Sequence, residues 1–202
     1  MNPAEHNSPA PYRCSRATRG ARPCGHRSAD LEALFAECFL ARWNTRLEGG
    51  GREPLYLPGT GGEPHRLIYR ADFYASALHE VAHWCIAGER RRRLEDFGYW
   101  YLPDGRDAAE QGAFEAVETR PQALEWVFSV AAGHPFRPSL DNLSGGAGDG
   151  WAFAQAVAAA LHRYLEDGMP ARAALFADAL GAVHGTGDWR RPEHYGPAVE
   201  AK

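Results

Sequence analysis

Two histidines four residues apart, with a glutamate directly after the first, form the segment of the chain best suited to catalysis. The segment His79-Glu80-Val81-Ala82-His83 has the pattern H-E-x-x-H, and the surrounding apolar residues recur at helical spacing. Residues four apart lie on one face of a helix, so both imidazoles can bind a single metal ion. Glu80 lies one step round the helix, where it can act as a catalytic acid or base. Ser76 is small and lies one turn before His79, which keeps this face open.

A second long helical segment supplies the carboxylate that a stable metal site needs. Two histidines are too few ligands, so a third must come from another element. Glu115 and Glu118 are three residues apart and can face the same way. We favour Glu118, because Gln122 lies one turn further on and can orient it, and because Pro121 can bend the helix there. Glu115 is the alternative ligand, and Glu125, a further turn along, is expected to be solvated.

Several kinds of site are compatible with this spacing. Two histidines and a carboxylate with open positions occur in zinc hydrolases, where Glu80 would be the general base and residues 66–69 an edge strand for a peptide substrate. The same ligand set occurs in non-haem iron oxygenases. A closed structural zinc site needs a fourth ligand, for which His65 and His134 are candidates. Two buried histidines can also bind backbone carbonyl groups without any metal.

The elements that must position these residues predict an α+β fold, a mainly helical single domain with a small sheet and the metal site between two helices. The expected helices run from Asp30 to the Gly49-Gly50-Gly51 run, from a cap at Asp72 to about Ala87, and over Ala108–Ala132, 151–167 and 171–181. The expected strands are the short segments 54–57, 66–69 and 97–102. Pro121 falls inside the second long helix, so we expect a kink or a break near Arg120.

The composition and the two ends of the chain narrow the possible classes of protein. The chain has 202 residues, 45% of them hydrophobic, and a net charge of −4, so nothing indicates a nucleic-acid partner. No apolar run approaches the roughly 18 residues that span a membrane. We expect residues 1–29 to be a disordered basic extension, 30–184 the domain, and 185–202 an irregular tail. The four cysteines lack metal-site or disulfide spacing, which favours reduced thiols and a cytoplasmic protein.

Blocks of sequence on both sides of the H-E-x-x-H segment carry a more specific signal. They are Trp43-Asn44-Thr45-Arg46-Leu47, Glu53-Pro54-Leu55-Tyr56-Leu57-Pro58, Phe73-Tyr74-Ala75-Ser76-Ala77-Leu78-His79-Glu80, His83-Trp84-Cys85-Ile86-Ala87-Gly88, Asp96-Phe97-Gly98-Tyr99-Trp100-Tyr101, Pro103-Asp104-Gly105-Arg106-Asp107, Pro121-Gln122-Ala123-Leu124, Ala131-Ala132-Gly133 and Asp141-Asn142-Leu143. In this order the blocks resemble the elongation factor P hydroxylase family of bacteria. The resemblance is close over about residues 31–145 and loose over the C-terminal helices. The long N-terminal extension and the alanine-rich final third depart from the family.

The resemblance implies that residues 30–184 form a metal-dependent hydroxylase domain. Its substrate would be a lysine of elongation factor P that already carries a β-lysyl group, and dioxygen would be the co-substrate. The matching His79 and His83, with a glutamate that we place at Glu118, would hold a divalent metal, expected to be iron(II). The resemblance implies no 2-oxoglutarate signature and no further cofactor site.

Such a substrate ends in amines, which favours carboxylates and aromatic rings around its pocket. The candidates by residue type, together with groups that can bind the substrate backbone, are Tyr99, Trp100, Tyr101, Asp104, Arg106, Asp107, Asp141 and Asn142. Each also has an ordinary interpretation as a core strand residue or a turn cap. The basic run from Arg90 to Arg93 either complements the carboxyl end of the preceding helix or docks onto an acidic protein partner such as elongation factor P.

Overall fold

A computed structural model of the protein describes residues 25–96, 105–140 and 150–197. Within these ranges the chain forms five α-helices and three β-strands. In chain order they are α1 (Ser28–Trp43), β1 (Thr45–Gly51), β2 (Leu55–Leu57), β3 (His65–Arg70), α2 (Tyr74–Ile86), α3 (Ala108–Ala132), α4 (Gly150–Asp167) and α5 (Ala171–His184). Two short 3-10 helices, Arg91–Arg93 and Pro192–His194, follow α2 and α5. The mainly helical α+β fold expected from the sequence is confirmed.

Helix α2, which carries the H-E-x-x-H segment, lies at the centre of the domain. It packs against α1, α3, α5 and β3, and its residues Ala77, Leu78 and Val81 have no exposed surface. The three neighbouring helices contribute large apolar side chains that are also fully buried: Phe35, Phe39, Leu124, Phe128 and Phe176. Full burial of one such side chain stabilises a fold by roughly 1.5–3 kcal/mol. The helix with both histidines is therefore held firmly from several sides.

The sheet has the strand order β1-β3-β2 and leads directly into α2. β1 runs parallel to β3 and β2 runs antiparallel to it, so that Leu47 and Tyr56 both lie opposite Leu67. These three side chains are buried, which joins one face of the sheet to the core. Only residues 71–73 separate β3 from α2, so the position of the sheet determines where α2 begins.

The first helix is shorter than the sequence predicts. It ends at Trp43, and Asn44 follows in the left-handed conformation with φ 45°. The chain then forms β1, so the prediction that the Gly49-Gly50-Gly51 run ends the helix is wrong. The glycines instead permit a close approach between strands, because a Cβ at Gly49 would lie 2.7 Å from the hydroxyl oxygen of Tyr69.

The amino end of α2 differs from the prediction, whereas its carboxyl end lies where the sequence places it and is held by a distant arginine. Phe73 rather than Asp72 precedes the first helical residue, and no side chain caps the amino end. At the carboxyl end, Arg172 of α5 donates hydrogen bonds from Nη2 to three backbone carbonyl oxygens, those of Trp84, Cys85 and Ala87. A cation at this end of a helix satisfies carbonyl groups that have no partner within the helix and complements the helix dipole.

Helix α3 runs through Pro121, so of the kink or break expected near Arg120 the break is wrong, and the kink stays a prediction. It begins with a capping box, in which Asp107 accepts from the backbone of Ala109 and Glu110, and it ends at Gly133 in the left-handed conformation. A proline inside a helix costs about 3 kcal/mol. Residues 121–124 are all buried against neighbouring elements, and this packing outweighs that cost.

The C-terminal segment 185–197 is irregular but packs on the helices. Trp189 and Tyr195 are buried, and Trp189 donates from its indole nitrogen to Asp178 of α5. The predicted strand at 97–102, residues 1–24 of the extension and residues 141–149 of the loop lie outside the described residues. The domain limits stay a prediction. No helix in the described part of the chain combines the length and apolar character needed to cross a membrane.

Candidate metal centre

The facing sides of α2 and α3 bring two imidazoles and one carboxylate together. His79 Nε2 lies 3.0 Å from His83 Nε2. The Glu118 carboxylate approaches both rings, with Oε2 3.4 Å from His79 Nε2 and Oε1 3.2 Å from His83 Nε2. Among the described residues, these three form the one group of histidine, cysteine or acidic side chains whose ligand atoms are close enough together to hold a metal ion.

The spacing of these atoms fits a divalent transition metal. With metal–ligand bonds of about 2.1 Å, neighbouring ligand atoms lie ~3.0 Å apart in octahedral geometry and ~3.4 Å apart in tetrahedral geometry. The three observed separations, 3.0, 3.2 and 3.4 Å, span that interval. The side chains of His79 and His83 are 27% and 21% exposed, whereas that of Glu118 is 2% exposed. The site is therefore closed on the α3 side and accessible on another, as a reactive metal site requires.

Glu125 belongs to this site, contrary to the prediction that it is solvated. Its Oε2 lies 2.9 Å from His79 Nδ1, and its side chain is only 14% exposed. Glu125 lies seven positions after Glu118, about two helical turns, so both carboxylates lie on the same face of α3. The spacing is visible in the sequence, but it indicates a role at the metal site only once α3 is known to pack against α2.

The electrostatics of the site follow from three carboxylates around two imidazoles. Burial lowers the pKa of His79, but the hydrogen bond to Glu125 and the charges of Glu118, Glu125 and Glu80 outweigh it and raise that pKa to about 10. Burial raises the pKa of Glu80, the two imidazoles oppose the rise, and the neighbouring carboxylates add to it. Glu80 is 8% exposed and has no hydrogen-bond partner within the described ranges. It can therefore exchange a proton with a bound group without first breaking a contact.

An open cleft of about 400 Å³ leads to His79 and Glu118. Its wall includes aromatic, acidic and basic side chains: Phe73, Phe114, Glu80, Glu125, Arg70 and Arg137. Ser76 and Gln122, both candidates from the sequence, also line it. Ser76 Oγ accepts from the Arg70 backbone N–H, and the Gln122 amide both donates to and accepts from the backbone of Ser139. The Gln122 contacts anchor the segment after α3 against the cleft.

The remaining candidates from the sequence lie elsewhere. Glu115 accepts a hydrogen bond from Gln111 Nε2 at 3.1 Å and is not part of the three-ligand group. Arg106 is fully buried behind the cleft wall, with its guanidinium 4.0 Å from the centre of the Phe114 ring. Asp107 caps α3. Six further candidates lie outside the described residues: Tyr99, Trp100, Tyr101, Asp104, Asp141 and Asn142.

The two histidines considered as a fourth ligand are engaged away from the site. His65 Nδ1 accepts from the Gly59 backbone N–H. The His134 ring packs against Tyr74 and against His26. Neither belongs to the three-ligand group, so within residues 25–96, 105–140 and 150–197 that group has the ligand count of a reactive site rather than of a closed structural one.

The basic run after α2 is largely engaged within the protein. Arg91 pairs with Asp96, and Arg93 pairs with Glu89. Arg92 donates to the Ala87 carbonyl at the carboxyl end of α2. These contacts agree with a role in completing the helix end, and docking of a partner on this run stays a prediction.

Comparison with known proteins identifies the family. The elongation factor P hydroxylase family matches residues 34–193 of the chain. A curated protein of Haemophilus influenzae, elongation factor P lysine hydroxylase, is 51% identical over 164 residues, which cover 81% of this chain and 92% of that protein. The matched range includes α2, α3 and all residues of the site described above. The chain belongs to the elongation factor P hydroxylase family.

Proposed function

We propose that this protein hydroxylates the β-lysylated lysine of elongation factor P, using dioxygen and an iron(II) ion held by His79, His83 and Glu118. The observation that carries the proposal is the group of two imidazoles and one carboxylate, found in a chain 51% identical to an elongation factor P lysine hydroxylase. That ligand set, with positions left open, is typical of non-haem iron oxygenases. The reaction places the enzyme in the cytoplasm, where translation factors act.

The proposed reaction replaces one C–H bond of the substrate with C–OH. One oxygen atom of dioxygen enters that bond and the other leaves as water, so the reaction also consumes two electrons from an external reductant and two protons. A bound iron(II) ion supplies the activation of dioxygen that an unactivated C–H bond requires. The protein must position the substrate, hold the metal ligands and deliver protons.

Individual residues of the chain are placed for these tasks. Glu118, almost fully buried, holds one side of the site in a fixed position. Glu80 lines the cleft together with His79 and has no competing hydrogen bond in the described part of the chain, so its carboxyl group could serve as an acid or base there. The cleft gives a long side chain access to His79.

The cleft also suits the chemistry of a β-lysyl group. This group is a flexible chain of methylenes that carries amines, which are cationic at neutral pH. Phe73 and Phe114 offer apolar surface for the methylenes, and the carboxyl groups of Glu80 and Glu125 can accept hydrogen bonds from the amines. The side chain of Phe73 is 57% exposed at the cleft wall, where it can also contact the polypeptide around the modified lysine.

The test is the intact mass of β-lysylated elongation factor P after incubation with the protein, iron(II), a reductant and air. We expect a gain of one oxygen atom with the wild-type protein and none with His79→Ala or His83→Ala. His162→Ala is the matched control, because it removes an exposed imidazole on α4, and it should hydroxylate like the wild type. Fragmentation of the substrate would favour the peptidase alternative. Full hydroxylation by His79→Ala, with full metal content, would exclude the proposed site.

A further inference from the structure

We propose that Glu125 is a positioning residue of the metal site, which holds the His79 ring so that Nε2 and not Nδ1 faces the metal. The inference rests on the proposed function, because it assumes a metal between α2 and α3. Glu125 does not touch the metal position itself. Its Oε2 lies 2.9 Å from His79 Nδ1, on the side of the ring away from His83 and Glu118.

The two nitrogens of the His79 ring face different partners. Nε2 faces the ligand atoms, 3.0 Å from His83 Nε2 and 3.4 Å from Glu118 Oε2. Nδ1 faces only Glu125 among the described residues. A neutral imidazole carries one N–H, so donation from Nδ1 to the carboxylate leaves the lone pair on Nε2, where a metal needs it.

Helix α3 determines the relative positions of the metal-binding carboxylate and the orienting carboxylate. Glu118 and Glu125 are separated by two turns of one continuous helix, and both lie against the same histidine. A shift of α3 along α2 would disturb both contacts together. The burial around Pro121 that keeps α3 unbroken thus also keeps the two carboxylates in register.

The other histidine lacks such a support in the described part of the chain. His83 Nε2 approaches His79 and Glu118, and no hydrogen bond holds His83 Nδ1 there. His79 is therefore the ligand whose orientation depends most on a neighbouring side chain. A carboxylate that accepts from a metal-bound histidine also increases the basicity of that ligand, and loss of such a partner weakens metal binding by about 10–100-fold.

The experiment measures the dissociation constant of zinc(II) for four full-length proteins, by competition with a chelator at fixed pH. They are the wild type, Glu125→Gln, Glu125→Ala and the control Glu166→Ala, which removes an exposed carboxylate on α4. We expect Glu125→Ala to weaken zinc binding by about 10–100-fold. Glu125→Gln should be affected less, because its amide oxygen still accepts from Nδ1–H, and Glu166→Ala should bind like the wild type.

A second readout separates positioning from a general effect on the fold. In the zinc-bound protein, NMR correlations of the His79 ring should show a protonated Nδ1 and a metal-bound Nε2 for the wild type and Glu125→Gln. Glu125→Ala should show an altered Nδ1 environment. Its thermal unfolding midpoint, measured without metal, should equal that of the Glu166→Ala control. Wild-type affinity and an unchanged His79 spectrum in Glu125→Ala would overturn the inference.

The same series keeps this inference apart from the proposed function. If the wild type binds zinc, His79→Ala loses it and Glu125→Ala retains it fully, the metal site stands and the role of Glu125 fails. If His79→Ala binds zinc as tightly as the wild type, the proposed metal site is wrong, and the proposed role of Glu125 is then wrong as well.

Discussion

Replacement of Arg172 by methionine should destabilise the protein by about 2 kcal/mol, and the reason lies at the carboxyl end of α2. The Nη2 atom of Arg172 lies 3.0, 3.0 and 2.7 Å from the carbonyl oxygens of Trp84, Cys85 and Ala87. The guanidinium also lies 4.7 Å from the centre of the Trp84 ring. Methionine retains a long apolar stem but removes the charge and every donor.

The magnitude follows from what Arg172 can donate and from what it leaves without a partner. Nη2 has two hydrogens, so at most two of the three contacts are full hydrogen bonds, each worth about 1.5 kcal/mol when the donor is charged. The contact with the Trp84 ring adds about 0.5–1 kcal/mol. The buried Nε of Arg172 has no hydrogen-bond partner within the described residues, which costs about 1–2 kcal/mol that methionine recovers. The net loss is about 2 kcal/mol.

Urea unfolding, followed by circular dichroism, measures this loss as a change in the free energy of unfolding. Arg163→Met is the matched control, because Arg163 is exposed on α4, and we expect a change within about 0.5 kcal/mol. Because His83 lies in the turn that Arg172 caps, the Arg172 variant should also bind zinc more weakly. Equal stability of the Arg172 and Arg163 variants would show that the carboxyl end of α2 does not depend on this cation.

Three further predictions concern metal binding, pH and packing. Zinc(II) at a hundredfold excess over its dissociation constant should stabilise the wild type by about 2.7 kcal/mol, and His83→Ala should show no such gain in a calorimetric scan. Burial lowers the pKa values of His134 and His184, so the folded protein binds protons there less readily than the unfolded chain does. The free energy of unfolding should therefore decline as the pH falls below about 6.5, where the histidines of the unfolded chain take up protons. A His134→Asn variant should lose less of it over the same pH range, and identical pH profiles for the variant and the wild type would contradict this. Gly49→Ala should lower the free energy of unfolding in urea by about 1–3 kcal/mol, because its Cβ would lie 2.7 Å from the Tyr69 hydroxyl. An unchanged urea midpoint would show that β1 can shift to accommodate the extra methyl group.

Local patterns in the sequence predict most of the helices, because each signal lies within the segment that it describes. The bounds expected for the second long helix, Ala108–Ala132, are those of α3. Local patterns do not contain the contacts between residues that are far apart in the chain. The glycines of β1 resemble a helix end until Tyr69 of β3 is seen beside them, and the carboxyl end of α2 depends on Arg172, more than eighty residues away in the chain.

At the candidate site, too, local spacing predicts some of the residues, and the others depend on how the helices pack. The four-residue spacing of His79 and His83 places both on one face of α2, which a sequence pattern can predict. Helical spacing leaves both Glu115 and Glu118 possible, because residues three apart can share a face. Only the packing of α3 on α2 decides which carboxylate lies against the imidazoles, and the structure places Glu118 there. The role of Glu125 needs the same information, since a two-turn separation has meaning only once the partner helix is known.

The most direct test follows the oxygen atom from gas to product. β-Lysylated elongation factor P is incubated with the protein, iron(II) and a reductant under oxygen-18 gas, and the modified peptide is then measured by mass spectrometry. We predict that the product gains one atom of oxygen-18 with the wild type and none with Glu118→Gln, while His162→Ala behaves like the wild type. Incorporation of oxygen from water instead of the gas, or undiminished labelling by Glu118→Gln, would contradict dioxygen chemistry at the site formed by His79, His83 and Glu118.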